Sequence, residues 1–66
     1  MTIQQLADAK VKIVRRPMWV EGKYIELTFD PHGNLAAWGM LIEVGEPKRR
    51  IDVVGLDDED FIECGG

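Results

Sequence analysis

A chain of 66 residues, 45% of them apolar, with a net charge of −4, is one domain at most, and a domain of that size buries only about 60% of the surface its unfolded chain exposes. The apolar share is too high for intrinsic disorder, and Cys64 as the single cysteine excludes an intrachain disulfide framework and points to a reducing compartment. The opening MTIQQLADAKVKI lacks the basic start and apolar core of a signal peptide, and the longest apolar run, Leu35 to Ile42, spans eight residues against the roughly 20 that cross a bilayer, so the expectation is a soluble cytoplasmic protein.

Thr2-Ile3-Gln4-Gln5 has the spacing of a capping box, and Ile3, Leu6 and Ala7 fall on one helical face, which predicts a short helix over residues 3–9. Two turns of helix are unstable alone in water, so that stripe must lie on a sheet. Residues 10–16 alternate charged and β-branched side chains and predict a strand that Pro17 ends. Residues 23–29 form the clearest strand, with Ile25, Leu27 and Phe29 pointing one way and Tyr24, Glu26 and Thr28 the other. Glu21-Gly22 marks the turn before it.

Asp30-Pro31-His32-Gly33 matches a type I turn and predicts a hairpin. Its return strand, residues 35–44, sets Trp38, Met40, Ile42 and Val44 on one face, the face taken here as the core side for Trp38. The same stretch between Asn34 and Gly45 also reads as a capped helix, but the turn chemistry before it and Gly39 within it favour strand. Gly45-Glu46-Pro47-Lys48 makes the next turn, and residues 49–54 form a strand with Ile51 and Val53 inward and Arg50 and Asp52 outward. Leu56, Phe61 and Ile62 anchor an acidic C-terminal segment, residues 56–64, as a final short strand or a helical turn. The fold class is α+β, a single domain over residues 1–66: a short N-terminal helix packed on a three- or four-stranded antiparallel β-meander.

Charge is segregated along the chain. Residues 1–20 carry Lys10, Lys12, Arg15 and Arg16 against Asp8 alone, whereas residues 51–66 carry six acids and no base. The run Asp57-Asp58-Glu59-Asp60 lacks the alternating ligands, central Gly and closing Glu of an EF-hand loop. An anionic surface of this kind can compete with nucleic-acid phosphates for the Lys and Arg groups of a larger protein, or it can simply keep a small protein soluble. The candidate partner-binding residues are therefore Asp57, Asp58, Glu59, Asp60 and Glu63, flanked by Asp52 and Glu46. Trp19, beside Pro17 and Met18 at a strand end, is the aromatic interface candidate.

The basic strip, with Trp19 behind it, resembles the interleaving of bases and aromatics in nucleic-acid sites, but it equally suits the outward face of an edge strand, and the acidic balance argues against direct nucleic-acid binding. Pairing of that strip with the acidic segment of a second copy would give a homodimer. His32 sits at a loop tip without an oriented partner, and Cys64 has acids rather than bases beside it, so no catalytic pair, metal site or cofactor is expected. In size and charge the chain resembles small acidic inhibitor proteins of phages and mobile elements, anti-CRISPR and anti-restriction proteins among them. That resemblance implies a non-enzymatic protein that occupies the basic nucleic-acid-binding surface of a larger partner. An accessory subunit or homo-oligomeric structural protein is the alternative. The terminal Gly65-Gly66 resembles the tail of ubiquitin-like sulfur carriers, which implies a β-grasp order with residues 35–44 as its helix.

Overall fold

The computed structural model describes residues 1–56 and 58–64. Helix α1 (Ile3–Asp8) begins at Thr2, whose side chain accepts from the Gln5 amide while the Thr2 amide donates to Gln5 Oε1, the reciprocal pair of a capping box. It ends in a Schellman motif: Lys10 N–H donates to the Ala7 carbonyl and Val11 N–H to the Leu6 carbonyl. The residue in the left-handed conformation there, at φ +69°, is Lys10 rather than glycine.

Four strands follow, β1 (Ile13–Arg15), β2 (Tyr24–Phe29), β3 (Leu35–Ile42) and β4 (Arg49–Asp52), each antiparallel to the one before it. Residues 35–42 are strand and not helix, so the hairpin, helix and strand order of the β-grasp sulfur carriers is not this fold. The predicted type I turn closes the β2–β3 hairpin, with Gly33 N–H donating to the Asp30 carbonyl and Asp30 Oδ1 accepting from the His32 and Asn34 amides. The next turn lies slightly earlier than expected, over Glu43 to Glu46, with Gly45 at φ +81°.

The sheet has five strands rather than three or four. Strand β5 (Ile62–Glu63) does not extend the meander beside β4; it pairs antiparallel with the free edge of β1, giving the order β4-β3-β2-β1-β5. The chain must therefore run from one edge of the sheet to the other after β4. It does so on the helix side, where Val53 and Phe61 are buried and Leu56 packs against the core. Phe61 N–H donates to the Met1 carbonyl, and Cys64 N–H to the Ile13 carbonyl. The predicted acidic segment thus holds a crossing that leads to a final short strand at the β1 edge of the sheet.

Among the described residues, nine buried hydrophobic side chains, Ile3, Leu6, Val14, Ile25, Leu41 and Phe61 among them, form one cluster between the sheet and α1 with the crossing segment. Paired residues of an antiparallel sheet share a face, so the register Ile25↔Leu41, Leu27↔Gly39 and Val14↔Ile25 puts those residues on the core side. Gly39 is buried there because a side chain has no room: a Cβ would stand 2.7 Å from the Glu26 carbonyl oxygen. Among the described residues, no helix is long and apolar enough to cross a membrane.

Candidate protein-binding surface

The same register assembles the opposite face. Ile13↔Glu26↔Met40↔Arg50 forms one row across the sheet, Tyr24↔Ile42 a second and Trp38↔Asp52 a third. Ile13, Tyr24, Trp38, Met40 and Ile42 therefore stand together, each half-buried and none of them in the core cluster. Ile62, 42% exposed and paired with Arg15, extends the apolar strip at the β5 edge. Trp38 alternates with Met40 and Ile42 as the sequence predicts, but their shared face is not the core side. Gly39 and Leu41, with their smaller combined volume, take that side because α1 and the crossing segment lie close against it.

Charged groups fringe this face. The Arg50 guanidinium lies 4.5 Å from the centroid of the Trp38 ring, a cation–π stack that covers part of the indole. Lys48 Nζ reaches Glu26 Oε1 at 3.3 Å, and Asp52 stands beside Trp38 in the register. Arg15, paired with Ile62, stands on the same face and donates to the carbonyls of Arg16 and Trp19. An antiparallel sheet with one wet face ordinarily carries polar residues on that side; here Ile13, Tyr24, Trp38, Met40, Ile42 and Ile62 stand among Thr28, Glu26 and the fringe charges.

The acids singled out from the sequence do not gather into one array. Asp58 pairs with Arg16, Asp60 Oδ2 lies 3.7 Å from Arg16 Nη1, and the same guanidinium sits 4.9 Å from the Phe61 ring centroid. The basic strip and the acidic segment thus meet within one chain. Among the described residues, one oxygen of Asp60 is buried without a hydrogen-bond partner. Glu59 is exposed on the crossing, Glu63 is exposed on β5 and Asp52 on β4, at opposite edges of the sheet, and Glu46 is exposed on the β3–β4 turn. Asp57 and the Gly65-Gly66 terminus lie outside the described residues.

Trp19 is half-buried against the core, edge-on to Phe61 at 6.2 Å with the ring planes at 88°, and Lys23 Nζ lies 4.8 Å from its ring centroid. Its large ring fills the end of the core beside β1. His32 remains at the hairpin tip and Cys64 follows β5, half-buried. Among the described residues, no group of three metal-ligating side chains comes together.

One cleft of about 290 Å³ opens between α1 and the β3–β4 edge, lined by Ile3, Leu35, Val53 and Leu56 together with Thr2 and Gln4. Both polar side chains are already engaged, Thr2 in the cap and Gln4 with Asp8. The feature that sequence reasoning missed is the sheet face. Its signal was present in the alternation of residues 38–44, but alternation alone does not say which face is covered. No family model, no curated protein and no solved structure matches this chain.

Proposed function

We propose that this chain is a small non-enzymatic binding protein, working in the cytoplasm through protein–protein contact, and that the sheet face opposite α1 is its contact surface. The observation that carries this is the grouping of Tyr24, Trp38, Met40 and Ile42 on a face that contributes nothing to the core. Contiguous apolar patches on small soluble proteins mark interaction sites, and Trp, Tyr and Met are enriched where interfaces carry their binding energy. Such a role fits an accessory subunit or an inhibitor alike.

A pull-down from a bacterial lysate across a salt series tests it. Partners held by the sheet face resist or strengthen with moderate salt and are lost with Trp38→Glu or Met40→Glu. Retention of every partner by both variants refutes the assignment.

A second reading has its own support. Among the described residues no ion pair engages Glu46, Asp52, Glu59 or Glu63, and the chain carries a net charge of −4. These carboxylates suit contact with the basic nucleic-acid-binding surface of a larger protein, as an inhibitor of the anti-CRISPR or anti-restriction kind would make. A contact of that kind weakens steeply with ionic strength and is lost in a Glu59→Gln, Glu63→Gln double variant while surviving Trp38→Glu.

A further inference from the structure

We infer that the free edge of β4 pairs with the same edge of a second copy, antiparallel about a twofold axis that is normal to the sheet and centred on Ile51. This goes beyond the sheet-face reading and does not rest on it. Of the two edges of the sheet, β5 has two residues and β4 has four, and the ladder continues past β4 with Val53 N–H donating to the Ala37 carbonyl. That bond fixes the phase of the β3–β4 ladder. Residues 53 and 37 form a hydrogen-bonded pair, and by alternation so do Ile51 with Gly39 and Arg49 with Leu41. The N–H and C=O groups of Arg50 and Asp52 therefore point away from β3, and no described turn, loop or cap bond uses them. Arg49, Arg50 and Asp52 are exposed, and the crossing leaves β4 on the helix side. A row of open donors and acceptors of this kind is a template for another strand.

The order of side chains along this edge selects both the occupant and the register. Opposed residues of an antiparallel pair share a face, so Arg50 and Asp52, both on the outward face, must meet outward residues. Centring the axis on Arg50 stacks Arg50 on Arg50, and centring it on Asp52 stacks Asp52 on Asp52. Centring it on Ile51 sets Arg50 of each copy opposite Asp52 of the other. Those residues carry the open backbone groups, so each pair exchanges both of its N–H···O bonds. The two Ile51 side chains then meet on the core side in the closer, non-hydrogen-bonded position. Among the described residues neither Arg50 nor Asp52 has an ion-pair partner; the Arg50 guanidinium rests on the Trp38 ring. The other basic groups of this edge are already engaged, Arg49 with Glu43 at 3.1 Å and Lys48 with Glu26 at 3.3 Å. Arg50-Ile51-Asp52 is thus complementary to itself when reversed, as an isologous contact requires.

The net charge of −4 on each copy opposes self-association, and this geometry keeps that opposition small. Glu59 and Glu63, without ion pairs among the described residues, lie on the crossing and on β5, and β5 is the edge opposite β4. Strands spaced by about 4.8 Å put the β5 edge about 20 Å from the joint, beyond the screening length of about 8 Å at physiological ionic strength. Glu46, on the β3–β4 turn, lies past the end of the paired segment. Joining the copies continues the outward row Ile13, Glu26, Met40 and Arg50 through Asp52 and Trp38 of the second copy. The two outward faces then lie side by side as one surface.

Sedimentation velocity over a concentration series, with amide exchange read residue by residue, tests the inference on the full chain. The wild type should move from the 7.5 kDa of one chain towards twice that mass as concentration rises. Exchange at the Arg50 and Asp52 amides should slow in step, while the Glu63 amide, open on the other edge, should not change. Arg50→Asp and Asp52→Arg should each weaken the dimer at least tenfold with an unchanged far-ultraviolet circular dichroism spectrum, because each sets like charges opposite one another twice. An equimolar mixture of the two variants should recover it, and so should the double variant. Should Arg50→Asp fail to fold, Arg50→Pro replaces it: the Arg50 N–H lies outside the monomer's ladder, where an edge proline is tolerated, and its loss removes a donor from the joint. A wild type that stays at one chain mass at every concentration overturns the proposal, as does a dimer indifferent to these edge changes. Recovery in the mixture but not in the double variant overturns the Ile51-centred register. A dimer that ignores the edge changes and is lost in Ile13→Lys, on β1, overturns the proposal in favour of packing through the sheet faces.

Discussion

Replacing Gly39 by alanine should destabilise the domain although it adds a single methyl to a strand. The added Cβ would stand 2.7 Å from the Glu26 carbonyl oxygen, 3.3 Å from Ile25 Cγ2 and 3.4 Å from Val53 Cγ1. The first of these is backbone in the central β2–β3 ladder, where Leu27 pairs with Gly39, so relief requires strands to part or the carbonyl to tilt out of its hydrogen bond. Inserting a methyl into a packed site typically costs 1–3 kcal/mol. Removing glycine's freedom from the unfolded chain returns about 0.4–1 kcal/mol. The clash wins, with a net loss of about 1–2 kcal/mol. A two-state domain of this length has about 3–10 kcal/mol in total, and each kcal/mol moves its midpoint by about 4–8 °C. Thermal unfolding at a fixed protein concentration should therefore show a midpoint about 5–15 °C lower for Gly39→Ala, with Gly39→Val lower still. An unchanged or raised midpoint would refute the close approach of Gly39 to β2.

Lys10 holds the left-handed position of the Schellman motif at φ +69°, so Lys10→Gly should stabilise the domain by about 1 kcal/mol, measured by urea unfolding; a loss of stability would show that the Lys10 side chain contributes more than its backbone strain costs. Phe61, 0% exposed, anchors the crossing, and Phe61→Ala should cost about 3–5 kcal/mol, enough to unfold much of the population at 37 °C, with hydrogen exchange at Cys64 N–H reporting loss of the β1–β5 pairing first. The Asp58–Arg16 pair is more than half exposed on the aspartate side, at 56%, so Asp58→Asn should cost less than about 1 kcal/mol, and the difference from wild type should shrink further in high salt.

Local chemistry was legible wherever a few neighbouring residues decide it. The Thr2–Gln5 capping box, the Asp30–Gly33 turn and the strand at residues 24–29 all follow from side chains within a few positions of one another. Two things that define the candidate surface depend on distant partners instead. The destination of β5 was not readable, because two residues of strand carry no signal for pairing with β1 rather than β4; Phe61 and the space beside Trp19 decide it. The orientation of β3 was not readable either. Period-two alternation sorts Trp38, Met40 and Ile42 from Gly39 and Leu41 but leaves the choice of face open. Hydrophobic content alone favours burying the tryptophan, and the structure does the reverse because Gly39 lets β2 and Val53 close in on the helix side. The larger apolar set is thereby left outward, fringed by charges of both signs. A fold of 66 residues has one helix and one crossing segment with which to cover its sheet, too little to bury both faces, and the face left uncovered is the one that carries Trp38, Met40 and Ile42.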